Sequence, residues 1–307
     1  MNTLSDPPVR AGILREVQRH FSSYATGDDD IRTALPWFTM IRRPAPTAVG
    51  RGMLQPSMCL IVQGEKEMLV GEQVLRYGPG HYVQAGVAMP VSGRIVHATT
   101  AEPYYGLRVD LDPKEIAAFM LEMALPHAAD ADDRPIVSVE PAGQDLMDAF
   151  LRLIRLLDQP ADLPVLGRLL KQEILYRLIM SAGGASLIRT VAGGQRERAV
   201  SRAISWIRTH YDEPLRIADL AESVRLSPSV LHRGFKAATV MSPLQYQKQV
   251  RLLEARRLLM SGTREAATVA YQVGYESPSQ FSREYRRLFG ATPLQDAQLL
   301  RGHLPEP

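Results

Sequence analysis

Cysteine is nearly missing from this chain: Cys59 is the only one among 307 residues. One thiol cannot close an internal disulfide, so a small disulfide-stapled scaffold is excluded and a reducing compartment is expected. Long apolar runs are missing too. No stretch approaches the roughly 18–20 apolar residues that span a bilayer. The opening MNTLSDPPVRAGILREV has no apolar centre of the kind that marks a secretory signal. The expectation is a cytoplasmic protein with no membrane partner. The seven histidines include no His-x-His. No glycine-rich phosphate loop and no G-x-S-x-G occur. No catalytic residue, metal ligand or cofactor is expected, and the chain is not read as an enzyme.

What is present is an ordinary soluble composition, 45% hydrophobic and 22% charged, long enough for two domains. The charge is unevenly divided. Residues 196–307 carry 17 Lys and Arg against 11 Asp and Glu, while residues 1–195 carry 19 against 22. A basic excess confined to one half is an electrostatic footprint for nucleic acid.

That basic half contains the most informative stretch, 266–290, AATVAYQVGYESPSQFSREYRRLFG. Ala266, Val269, Ala270 and Val273 recur at i, i+3, i+4 and i+7, one buried helix face. Gly274 then stands where the chain must turn, since glycine takes positive φ without steric cost. Ser277 is a helix cap, Pro278 suits the first helical position, and Gln280 falls where a capping box places Glu or Gln. Phe281, Tyr285, Leu288 and Phe289 share an apolar face; Ser279, Ser282, Arg283 and Arg286 share the opposite one. Helix, tight turn and helix with a cationic outer face is a shape that enters the major groove. Two amphipathic helices with a merely solvated arginine face would show the same pattern, but the pattern occurs twice. Ser227-Pro228-Ser229 anticipates Ser277-Pro278-Ser279. Leu231, Arg233 and Phe235 stand in register with Phe281, Arg283 and Tyr285. Ile217, Leu220, Ala221 and Val224 repeat the first helix. Residues 243–259 read as one helix between the copies, with core contacts from Tyr246, Val250, Leu253 and Leu258, and with Arg251, Arg256 and Arg257 partly on its outer side.

At LAESVRLSPSVLHRGFK, SPLQYQKQVRLLEARRLL and VGYESPSQFSREYRRLFGATP the chain resembles the AraC/XylS family of bacterial transcription regulators. The resemblance covers roughly residues 199–295. It implies an all-α domain of two helix-turn-helix units joined by a long helix. It also implies base-facing positions at Ser229, His232 and Arg233 in the first unit, and at Ser279, Gln280 and Arg283 in the second. Arginine reads guanine O6 and N7 bidentately; Arg286 and Arg287, a turn further on, suit phosphate. One position departs from the family pattern. Glycine is expected after the first recognition helix, and Val240 stands there, strained if the backbone is left-handed.

Between 31 and 111 the texture is β-like. WFTMIRR, MCLIVQG, EMLVG, VLRYG, HYVQAG, RIVHA and YYGLRVDL are separated by Gly and Pro turn signals, suggesting an antiparallel barrel or jelly roll. The segment resembles the AraC-type regulator N-terminal domain, a cupin-like β-barrel, through the run 56–64 (PSMCLIVQG), Lys66, Gly71, Tyr77, Pro79, Gly80, Pro103 and Tyr104. Metal cupins carry His-x-His and a nearby carboxylate, whereas His81 and His97 here stand alone. Cys59 lies in the apolar run 58–62. It is either a small buried hydrophobe or a reactive thiol and candidate ligand contact, its pKa lowered if the fold brings Lys66 close.

Helices are expected at 11–24, closed by Gly27 to Asp30, and again at 113–123, 145–157 and 164–181. The last is apolar on more than one face, which fits either a partner copy or burial within its own domain.

The fold expected is α+β: a cupin-like β-barrel with flanking helices, then the double helix-turn-helix. The expected domains are an arm and helix at 1–30, a sensor and dimerisation domain at 31–183, a glycine-bracketed linker at 184–197, the DNA-binding domain at 198–296 and a frayed tail at 297–307. The expected function is a sequence-specific transcription regulator answering to a small molecule, with double-stranded DNA, RNA polymerase and a second copy as partners. A ligand-independent dimeric regulator, or a cupin-type metalloenzyme tethered to DNA, stands as the alternative.

Overall fold

The structure is a computed structural model and describes residues 7–23, 30–123, 137–261 and 265–301. The helix stop at Gly27 to Asp29, and most of the loose arm and frayed tail, lie outside the described residues. The main boundary between two compact units falls after Arg198.

The first unit opens with α1 (Pro7–Ser23) and continues through β1 (Asp30–Arg32), β2 (Phe38–Arg43), β3 (Gly50–Leu54), β4 (Ser57–Gln63), β5 (Glu65–Val70), β6 (Gln73–Tyr77), β7 (His81–Ala85), β8 (Met89–His97) and β9 (Tyr104–Asp110). Then come α2 (Pro113–Glu122), β10 (Val137–Pro141), α3 (Gln144–Leu156), α4 (Leu163–Ile179) and α5 (Gly184–Ala192). The seven strand-like runs all form strands; β1, β3 and β10 are additional. One sheet has the order β1-β2-β9-β4-β7-β10 and the other β3-β8-β5-β6. Among the described residues the strands form these two sheets, the double-sheet arrangement of the jelly roll expected from the sequence.

β4 organises this unit. It pairs antiparallel with both β7 and β9, and Ser57 to Val62 are all buried. A strand buried on both faces reads as an unbroken apolar run, which is why MCLIV shows no alternation. Met58, Leu60 and Val62 join a core with Leu107 and Val109 of β9, Ile13 and Val17 of α1, and Phe150 and Leu153 of α3. Cys59 alternates with them and faces the other way. Its neighbours there include the hydroxyls of Tyr77 and Tyr104, and burial pushes its thiol pKa up, with Lys66 opposing less strongly.

The N-terminal helix shares the core of this unit: Ile13 and Val17 are 0% exposed, Arg155 Nε donates to Glu16 at 3.0 Å, and Arg19 pairs with Asp158. The segment 184–197 is not an open linker. Residues 184–192 form α5, whose Leu187 and Ile188 lie in the same core, and Gln84 Nε2 holds its start through Gly183 O at 2.6 Å and Ser186 Oγ at 3.2 Å. Only Gly193 and Gly194 separate α5 from the next helix.

The second unit is helical: α6 (Gln195–Thr209), α7 (Ile217–Ser223), α8 (Pro228–Thr239), α9 (Pro243–Met260), α10 (Ala266–Gln272), α11 (Pro278–Phe289) and α12 (Pro293–Arg301). Residues 297–301, expected as the start of a frayed tail, are therefore helical. The capping box expected at Ser277 and Gln280 closes on one side only. Ser277 Oγ accepts from Gln280 N at 3.3 Å, but the Gln280 amide donates to Glu284 Oε1 at 3.3 Å instead. Reciprocal boxes form at α9, between Ser242 and Gln245, and at α12, between Thr292 and Gln295.

Val240, closing α8, has φ 60° and ψ 13°, a left-handed cap, and its amide donates to Lys236 O at 2.8 Å. The equivalent position closing α11 is Gly290, with φ 84°. A β-branched residue pays a steric cost in this region that glycine does not. Val240→Gly is expected to raise stability by about 1 kcal/mol, seen as a higher melting temperature; a lower one would show that the valine is not strained.

Candidate nucleic-acid interface

Each helix-turn-helix is a seven-residue helix followed by a twelve-residue one, α7 with α8 and α10 with α11. The turns are built alike. Leu226 N donates to Ala221 O and Tyr275 N to Ala270 O, both at 2.9 Å, and the residue before each donor is left-handed: Arg225 at φ 60° and Gly274 at φ 85°. Only the second turn uses glycine. A Cβ at Gly274 would lie 2.1 Å from Asp212 O, closer than any side chain tolerates. Ser227 and Ser277 cap α8 and α11, each with proline at the first turn.

These starts orient the helices so that Leu231 and Phe235, and Phe281 and Tyr285, are 0% exposed. All eight residues named from the sequence then emerge on the solvent side. Ser229, His232 and Arg233 are exposed on α8, as are Ser279, Gln280, Arg283, Arg286 and Arg287 on α11. No described residue forms an ion pair with Arg233, Arg283, Arg286 or Arg287, so their charge is directed outward.

The arginines of α9 behave differently, which corrects their expected outward placement. Arg256 is bidentate to Asp296 of α12 at 2.8 and 3.0 Å, and the Tyr285 hydroxyl donates to the same carboxylate at 2.7 Å. Arg251 donates to the backbone carbonyls of Tyr211, Glu213 and Gly274, and burial holds its pKa below the ordinary guanidinium value. Arg257 alone stays on the surface, paired with Glu254. Among the core contacts expected of α9, Tyr246, Val250 and Leu258 are buried, whereas Leu253 is only half-buried and Leu252 takes the deeper place. Sequence reasoning missed Asp296 and α12. The signal was there: Ser242-Pro243-Leu244-Gln245 recurs fifty residues on as Thr292-Pro293-Leu294-Gln295, so the repeat includes a third helix in each copy.

In the first unit, His81 and His97 lie on strands of different sheets. Among the described residues no three His, Cys, Asp or Glu gather as a metal site, and no helix is long and apolar enough to cross a membrane. A cleft of about 490 Å³ opens beside Tyr82, Leu146, Tyr176, Arg177, Met180 and Ser181.

Fold and site together define a two-domain protein in which a two-sheet β domain precedes a duplicated helix-turn-helix with exposed cationic helices. The AraC-type transcriptional regulator N-terminus matches residues 34–186, and a helix-turn-helix domain matches residues 220–298. The chain belongs to the AraC-type family of transcription regulators. It is 28% identical over 179 residues to the HTH-type transcriptional activator RhaS of Pectobacterium carotovorum subsp. carotovorum strain PC1, covering 58% of this chain and 61% of that relative. It is 27% identical over 152 residues to the HTH-type transcriptional regulator YisR of Bacillus subtilis strain 168, half of each chain. The chain thus spans about three fifths or less of the length of these curated relatives. The fold is similar to that of ToxT from Vibrio cholerae strain SCE256, a structure with bound unsaturated fatty acid, at TM-score 0.54 and 12% identity over 88% of this chain and 96% of that one.

The buried carboxylate of Asp296, 8% exposed, seats α11 against α9 and α12. Asp296→Ala would leave a guanidinium and a phenol without their acceptor, and is expected to destabilise the protein by about 3 kcal/mol. Denaturant unfolding followed by circular dichroism measures this, and a change under 1 kcal/mol would mean that packing alone seats the helix.

Proposed function

We propose that this chain is a cytoplasmic, sequence-specific DNA-binding transcription regulator, and not an enzyme, whose β domain receives a small-molecule effector. The observation that carries the proposal is the duplicated helix-turn-helix, which presents Ser229, His232 and Arg233 from one recognition helix and Ser279, Gln280 and Arg283 from the other. α9 has 18 residues, about 27 Å at 1.5 Å per residue, which is of the order of one helical turn of DNA. One monomer would then engage two neighbouring major grooves. Arg233 and Arg283 would read bases, while Arg286 and Arg287 would hold phosphate.

On this proposal residues 31–183 form the sensor and dimerisation part and residues 198–296 the DNA reader. A second copy would pack on α4, which buries Ile174, Leu175 and Leu178 yet leaves Val165, Leu169 and its C-cap residue Met180 more than half exposed. Regulation would follow from recruiting or excluding RNA polymerase at the promoter. The fatty acid bound by ToxT supports a small-molecule effector in general, and raised melting in the presence of an unsaturated fatty acid would favour a sensor over a ligand-independent regulator.

Arg283→Ala and Arg233→Ala are each expected to weaken specific binding by about 1–3 kcal/mol and to relax base preference in opposite halves of the site. Arg286→Ala and Arg287→Ala should lower affinity on every sequence and flatten its salt dependence. Titrations on single-base operator variants at fixed salt separate the two classes; equal losses on all sequences for Arg233 and Arg283 would remove them as base readers. Cys59 is placed in this proposal as a packing residue. Cys59→Ala should therefore keep regulation intact, and Cys59→Ser should cost more stability by burying a hydroxyl; a normally folded Cys59→Ala protein that no longer responds to an aldehyde or oxidant would reverse that assignment.

A further inference from the structure

We propose that Arg251 is a positioning residue that sets the spacing and phase at which the two recognition helices address DNA. This rests on the DNA-binding function proposed above. Arg251 lies in the middle of α9, between the two helix-turn-helix units. Its Nε donates to Tyr211 O at 2.5 Å, and Nη2 donates to Glu213 O at 2.8 Å and Asp212 O at 3.3 Å. Nη1 donates to Gly274 O at 2.7 Å. Residues 211–213 lead from α6 into the first helix-turn-helix, α7 with α8, and Gly274 is the turn of the second, α10 with α11. One rigid fork therefore joins the entry of one reader to the turn of the other.

All four acceptors are main-chain carbonyls, so the fork holds backbone to backbone and does not depend on side-chain rotamers. Gln247, one turn earlier, donates to Tyr211 O at 3.1 Å and Glu213 O at 2.7 Å, holding the same loop from a second point. The approach is close enough to dictate sequence: a Cβ at Gly274 would meet Asp212 O at 2.1 Å and Arg251 Nη2 at 2.8 Å. The linkage also reaches the second recognition helix. The guanidinium lies 5.9 Å from the centre of the Tyr275 ring, whose hydroxyl donates to Glu284 of α11 at 2.8 Å. An apolar residue at 251 would fill space between the units. A planar five-donor fork also fixes their angle, and the single ammonium of lysine does not.

The test uses the full chain and a duplex site selected from a random-sequence library with the wild-type protein. One base pair is then inserted or deleted between the two halves of that site, which displaces one half by about 3.4 Å and about 34°. Wild-type affinity is expected to fall about tenfold or more at either change, the scale of a lost base contact. Arg251→Lys and Arg251→Met, checked for folding by circular dichroism, should lose that spacing preference while keeping the base preferences within each half. If neither folds, Gly274→Ala, whose Cβ crowds both the Asp212 carbonyl and Arg251 Nη2 and so disturbs the same fork, carries the same expectation. A wild-type protein indifferent to spacing overturns the inference without any variant. A folded Arg251→Lys protein that keeps the wild-type spacing profile, whatever its stability, also overturns it and leaves the DNA-binding function standing. A library that yields no site overturns both.

Discussion

Short helices do not hold themselves in water. Isolated helices below about 12–15 residues are marginal because nucleation is costly, and the two reader units are made of seven- and twelve-residue helices. Everything in the second unit follows from supplying what these helices lack. Serine caps and prolines define the starts of α8 and α11. Phe235 against Tyr246, in edge-to-face contact at 5.4 Å, anchors α8 to α9. Tyr285, through Asp296 and Arg256, anchors α11 to α9 and α12. The longest helix is therefore a spine with buried residues around more than one face, as the burial of Tyr246, Gln247, Val250, Leu252 and Ala255 records.

The same constraint sorts the arginines. Those on the spine, Arg251 and Arg256, are occupied by carbonyls and a carboxylate inside the unit. Those on the recognition helices meet no described counter-charge. The +6 balance of residues 196–307 therefore overstates the number of cations available to a ligand but not their direction. A charge excess in a sequence measures a field; which charges contribute to it outside the protein depends on what each one already touches.

In the first unit the governing element is β4, saturated by partners on both edges, with one face in a core shared with α1, α3 and α4. That helical cover makes the terminal helices, α1 at the start and α5 at the end, parts of one core rather than appendages. It also leaves α4 with two apolar stripes of which only one is buried within this unit.

Much of this was readable in the chain itself. Seven strand runs, the helix-turn-helix repeat, its capping serines and the left-handed positions at Gly274 and Val240 are local properties: apolar period, cap chemistry and the steric cost of positive φ are written within a few residues. The solvent side of Ser229, Arg233, Ser279 and Arg283 followed from the same period. Other features were decided by tertiary structure because they depend on partners far along the chain. β10 pairs with β7 over more than fifty residues. α5 is a packed helix and not a linker because Gln84, about a hundred residues earlier, holds its start. Arg251 and Asp296 look like surface charges in sequence, since a basic or acidic residue in a helix usually faces water; only the folded chain brings four carbonyls to one and an arginine and a tyrosine to the other.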